Sequence, residues 1–151
     1  MKVRSWVRGR TEKESRDLVA AWGELLSRPA WRWSLYATLT FKEPVRESAA
    51  ERDFLRWLHP LNIQRFGRRY RRHGKEIAWV RGTEYQKRGV LHYHALLGNT
   101  GELNQYEAMS TWENCGSPID IDGGSHPRTG FARIYPYDPS LGGVFYVSKY
   151  V

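Results

Sequence analysis

The chain reads as an α+β fold, an antiparallel central sheet with flanking helices, on three observations. Apolar and polar residues alternate with the two-residue period of a strand over Trp33–Phe41, over 77–98 and over 131–137. Longer stretches with helical character separate them. The resulting order of strand, helix, hairpin, helix and strand implies an antiparallel sheet with helices packed on one side.

Each element follows from local signals. Thr11-x-x-Glu14 is a capping box that opens a helix running to about Ser27, with Pro29 ending it. Trp33–Phe41 is the first strand, with Tyr36, Thr38 and Thr40 on one face and Leu35, Leu39 and Phe41 on the other. A long helical stretch runs from Arg46 towards Arg72, with His59–Pro60 expected to kink or split it. The hairpin 77–98 follows. Residues 103–114 suit another helix, 116–129 form a Gly/Pro/Asp-rich loop, 131–137 a strand and 141–151 a last helix.

The hairpin carries the most chemistry. Lys87–Arg88–Gly89 suits a three-residue turn with Gly89 left-handed, which closes Gln86 against Val90 and sets Glu84 opposite His92. His92 and His94 flank Tyr93 and so share a face. Two imidazoles and a carboxylate on one rigid face are a donor set for a divalent metal. In the last helix Tyr146, Lys149 and Tyr150 lie at i, i+3 and i+4 on one face. A phenol is a weak nucleophile unless a cation or a metal-polarised substrate assists it. His59, His73 and His126 have no acidic or imidazole neighbour in sequence and read as non-ligands.

In this order along the chain, the motifs resemble those of HUH endonucleases, and within them the rolling-circle replication initiators (Rep proteins). Ala37–Thr38–Leu39–Thr40–Phe41 is similar to the first family motif, and His92–Tyr93–His94 to the second, with an acidic residue ahead of it as Glu84 is here. Tyr146–Val147–Ser148–Lys149 is similar to the third, Tyr-x-x-Lys. The resemblance spans about residues 34–151 and leaves 1–30 as an N-terminal helical extension of a single nuclease domain over 1–151. It implies a ferredoxin-like or RRM-like sheet. It also implies a site-specific single-stranded DNA endonuclease and strand transferase, in which a tyrosine forms a 5′-phosphotyrosine intermediate and frees a 3′-hydroxyl. Glu84, His92 and His94 would hold the metal, Mn²⁺ or Mg²⁺. Tyr146 would be the nucleophile with Lys149 beside it, and Tyr150 either a second nucleophile or a packing residue.

Composition is consistent with a nucleic-acid partner. The chain has 24 Lys and Arg against 16 Asp and Glu, a net charge of +8, which favours a polyanion. Phosphate contacts are expected from Lys87 and Arg88 at the hairpin tip and from Arg68, Arg69 and Arg72, with Trp6, Trp31 and Trp33 available for base stacking. The expected partner is single-stranded or hairpin origin DNA, with a helicase domain or host replication proteins alongside. The single Cys115 allows no internal disulfide and points to a reducing compartment. That is the cytoplasm of a bacterial or archaeal host, or a host nucleus for a eukaryotic virus. No apolar stretch approaches the ~20 residues of a membrane helix, so no membrane partner is expected. A stop inside the last helix suggests the N-terminal part of a longer Rep protein. The competing readings are a transposase or relaxase with the same chemistry, an inactive RRM-like nucleic-acid binder, and a hydrolase that uses metal-activated water.

Overall fold

The computed structural model describes residues 11–149, without the side chain of Phe145. Helix α1 spans Glu12–Leu26, and its capping box forms as expected, Thr11 Oγ1 accepting from the Glu14 amide while Glu14 accepts from the Thr11 amide. A 3₁₀ turn at Pro29–Trp31 leads into β1, Trp33–Phe41. The Trp31 and Trp33 indoles stack at 5.9 Å, and their N–H groups donate to the Leu25 and Leu26 carbonyls. These indoles therefore satisfy the last turn of α1; Trp6 lies outside the described residues.

Helix α2, Glu47–Phe66, runs unbroken through Pro60. It stops short of the expected 72 because Gly67 adopts φ +85 and the chain turns away. The basic run 68–72 is therefore a turn, pinned by Tyr70, whose buried ring carries a hydroxyl 2.8 Å from His59 Nδ1. Strands β2, Ala78–Tyr85, and β3, Leu91–Gly98, form the expected hairpin. Helix α3, Gln105–Cys115, starts at Asn104, whose side chain accepts from the Tyr106 and Glu107 amides.

The region read as loop holds a second, two-stranded sheet, β4 at Pro118–Ile121 and β5 at Gly124–Pro127. Asp122 and Gly123, both at positive φ, make the tight turn between them, the two-residue connection that matches strand twist. Strand β6 is Thr129–Pro136. The last helix, α4, is shorter than expected, Gly143–Ser148, because a 3₁₀ turn at Pro139–Leu141 and a left-handed Gly142 precede it. Among the described residues no helix is long and apolar enough to cross a membrane.

The main sheet has the order β2-β3-β1-β6 and is antiparallel throughout. Alternation sends Leu35, Ala37, Leu39, Tyr93, Ala95, Leu97, Ala132 and Ile134 to one face, where they meet Phe54, Trp57 and Leu61 of α2 and Ala108 and Trp112 of α3. Helices do not keep to that side alone. Leu26 of α1 and Val144 and Val147 of α4 pack on Leu96 and Val80 on the opposite face. That second layer covers only the Leu96 end of the sheet, because α4 is short. The rest of that face carries the polar residues of β1, β2, β3 and β6.

Candidate active site

Turn chemistry fixes the site before any long-range contact does. Gly89 takes φ +77, its amide bonds the Gln86 carbonyl at 2.7 Å, and the Gln86 amide bonds the Val90 carbonyl at 3.1 Å. Register follows, with Glu84 opposite His92 and Gly82 opposite His94. Glu84 reaches diagonally rather than straight across: its Oε2 lies 2.7 Å from His94 Nε2, within the reach of a cross-strand diagonal pair. All eight residues of β3 are buried, so the two imidazoles sit on the inner strand of a largely dry site.

Strand β1 supplies the other side of His94. Thr38 pairs with His94 in register, and the hydroxyls of Thr38 and Tyr36 each lie 3.3 Å from His94 Nδ1. Burial, reinforced by Tyr146, pushes the Tyr36 phenol up to about 12, so it stays protonated and can donate. Burial likewise lowers the basicity of His92, with Glu84 opposing and His94 and Arg88 reinforcing, so His92 favours the neutral form that can accept or ligate.

Tyr146 of α4 stands edge-on to His94, ring centroids 4.9 Å apart at 86°, and is 38% exposed. Lys149, at the C-cap, holds its ammonium 5.4 Å from the Tyr146 ring centre. The tertiary fold thus brings together Glu84, His92, His94, Tyr146 and Lys149, from three elements far apart in sequence. Tyr150 lies outside the described residues. Among the described residues no group of three or more His, Cys, Asp or Glu side chains is spaced as a metal cage, since Glu84 and His94 meet as a hydrogen-bonded pair.

Of the basic residues expected to meet phosphate, Lys87 and Arg88 are exposed at the tip of the β2–β3 hairpin, close in sequence to Glu84. Arg68, Arg69 and Arg72 are exposed at the other end of the same strand pair, where Ala78 faces Gly98. His73 and His126 are exposed. Residue-type reading missed two groups of neighbours. The hydroxyls of Tyr36 and Thr38 sit on the correct face of β1, but only the β1–β3 pairing brings them to His94. Phe131, Arg133 and Tyr135 form an exposed strip on β6 with the Arg133 guanidinium 5.4 Å from the Phe131 ring.

A four-stranded antiparallel sheet with a His-x-His strand at its centre, and a tyrosine from the last helix against it, defines a class of α+β protein. The profile of the family Replication-associated protein ORF2/gene 2 protein matches residues 34–151, and the chain belongs to that family. No curated protein and no solved structure matches the chain.

Proposed function

We propose that the protein is an HUH-type endonuclease and strand transferase that nicks single-stranded DNA to initiate rolling-circle replication. One observation carries the reading: Tyr146 packs edge-on against His94 on the sheet face that also bears Glu84 and His92. Family membership supports it, because residues 34–151 include all four residues.

The donor set fits a hard to borderline divalent ion, Mn²⁺ or Mg²⁺, which would supply Lewis-acid polarisation of a phosphate oxygen when held by Glu84, His92 and His94. His94 can adapt to such a role. The Tyr36 and Thr38 hydroxyls accept as readily as they donate, so the ring can release its Nε2 proton and carry one on Nδ1. In the proposed reaction the Tyr146 oxygen attacks phosphorus, forming a Tyr–O–P bond as the bond from phosphorus to the 3′ oxygen breaks. The phenolic proton is released and the departing 3′ oxygen takes up another. Lys149 offsets the negative charge that builds on the phenolate. One phosphodiester replaces another, so the 3′-hydroxyl can attack back and rejoin the strand. Lys87 and Arg88 hold the backbone nearest the site, while Arg68, Arg69 and Arg72 contact more distant phosphates.

The test is incubation with end-labelled single-stranded DNA and Mn²⁺, followed by a denaturing gel. A labelled band at protein mass is expected, absent in Tyr146→Phe, His92→Ala and His94→Ala, all of which retain the wild-type circular dichroism. Tyr150→Phe retains the band. Release of 5′-phosphorylated DNA without an adduct would instead mark a hydrolase, and an adduct mapped to Tyr150 alone would reassign the nucleophile.

A further inference from the structure

A cleft of about 330 Å³ opens beside Tyr146, between the end of β6, the 3₁₀ turn and the start of α4. Its walls are the rings of Tyr36, Tyr135, Tyr137 and Tyr146, with Leu141 and Asp138 at the rim. Glycine at 143 lets the backbone of α4 close on two of these rings: a Cβ there would stand 3.1 Å from Tyr36 and 3.6 Å from Tyr137. The cleft is accessible, since Tyr135 is 53% and Leu141 81% exposed. No Lys or Arg lines it. In a chain of net charge +8 that absence argues against a phosphate seat and for a flat, uncharged ring.

Asp138 adds selectivity. Its Oδ1 accepts from the Ser140 amide at 2.9 Å and the Ser140 hydroxyl at 2.7 Å, which fixes the carboxylate at the rim and holds it ionised. A fixed anion favours N–H donors and repels carbonyl edges. We infer that the cleft seats one unpaired nucleobase, next to the scissile phosphate, and prefers a base carrying an exocyclic amino group (adenine, cytosine or guanine) over thymine. The inference rests on the reading of Tyr146 as the nucleophile. Stacking between tyrosine rings supplies affinity without sequence, and Asp138 supplies the choice among bases.

Two measurements separate this inference from the nuclease reading. In the first, the full chain in EDTA is titrated with twelve-nucleotide homopolymers of deoxyadenylate, deoxycytidylate and thymidylate, and with an abasic strand, by fluorescence anisotropy. Deoxyadenylate and deoxycytidylate are expected to bind about tenfold tighter than the abasic strand, the size of one base–aromatic stack. Tyr135→Ala narrows that gap, and Asp138→Asn raises thymidylate towards the other two. In the second, DNA captured covalently from a random single-stranded pool with Mn²⁺ is sequenced, and an abasic nucleotide is then placed on either side of the cut. One of the two placements is expected to cut adduct formation about tenfold in the wild type and hardly at all in Tyr135→Ala. The inference is overturned if Tyr135→Ala and Asp138→Asn leave the base dependence of binding unchanged, or if both abasic placements react like the intact strand. Base-dependent binding without any adduct would instead sink the nuclease reading and leave the cleft assignment standing.

Discussion

The two faces of the sheet are built from the same strands and have opposite characters. On one, Phe54, Trp57, Tyr93 and Trp112 interlock edge to face beneath α2 and α3, and no site residue appears. On the other, α1 and α4 cover only the Leu96 end, and the remainder exposes Phe131, Arg133 and Tyr135 beside the Glu84–His94 pair. Strand β3 serves both, giving Tyr93, Ala95 and Leu97 to the core and His92 and His94 to the site. Strand alternation therefore lets one rigid element hold the chemistry without loops, because the core on one face fixes the rings on the other.

A buried ion pair ties the first face together. Asp53 of α2 is fully buried and receives Arg128 through two hydrogen bonds, at 2.6 and 3.1 Å, with Arg56 at 3.4 Å. Arg128 stands just ahead of β6, so this fork fixes the edge strand that also walls the cleft. Arg81 crosses the same face differently, laying its guanidinium over the rings of Tyr93 and Phe54 at 4.3 and 4.8 Å.

If the core face carries stability and the open face carries chemistry, substitutions should separate the two. Trp57→Ala empties a fully buried site and removes the bond from its indole to the Ala108 carbonyl, so urea unfolding should show a loss of about 3–5 kcal/mol. The matching change on the open face, Arg133→Ala, should stay within about 0.5 kcal/mol in the same assay; comparable losses from the two would erase the distinction. Thr38→Val keeps the shape at His94 and deletes one hydroxyl from Nδ1. It should lower adduct formation or Mn²⁺ affinity about tenfold with little change in unfolding midpoint, in the range of other groups that orient a ligand histidine. Unchanged adduct formation and Mn²⁺ affinity would mean that the hydroxyl does not position the ring. Gly89→Ala tests the turn itself. Nothing lies within 4 Å of a Cβ there, so the cost is conformational, from φ +77 alone. It should be about 1 kcal/mol, read as a small drop in melting temperature; no drop would show that the turn can reorganise freely.

The hairpin was legible in sequence because its register depends on neighbours a few residues apart. Gly89, the His-x-His spacing and the two-residue strand period together set Glu84 opposite His92, and the structure has that register. The α1 cap and β1 were legible for the same reason. Reading failed where a local signal had a distant competitor. Pro60 did not break α2, while Gly67 ended it earlier than its basic run suggested. The Gly- and Asp-rich stretch after α3 folded into β4 and β5 around Asp122–Gly123.

Sequence by itself determined the strand faces, the hairpin register and the pairing of an acid with two imidazoles on one surface, all consequences of short-range stereochemistry. Only the tertiary structure decided that Tyr146 packs on His94, that Tyr36 and Thr38 reach its Nδ1, and that α1 and α4 leave one end of that face open. Those contacts join residues dozens of positions apart, and no local period encodes them. They exist because burial of Leu26, Val144 and Val147 against Leu96 holds the short last helix against that face of the sheet.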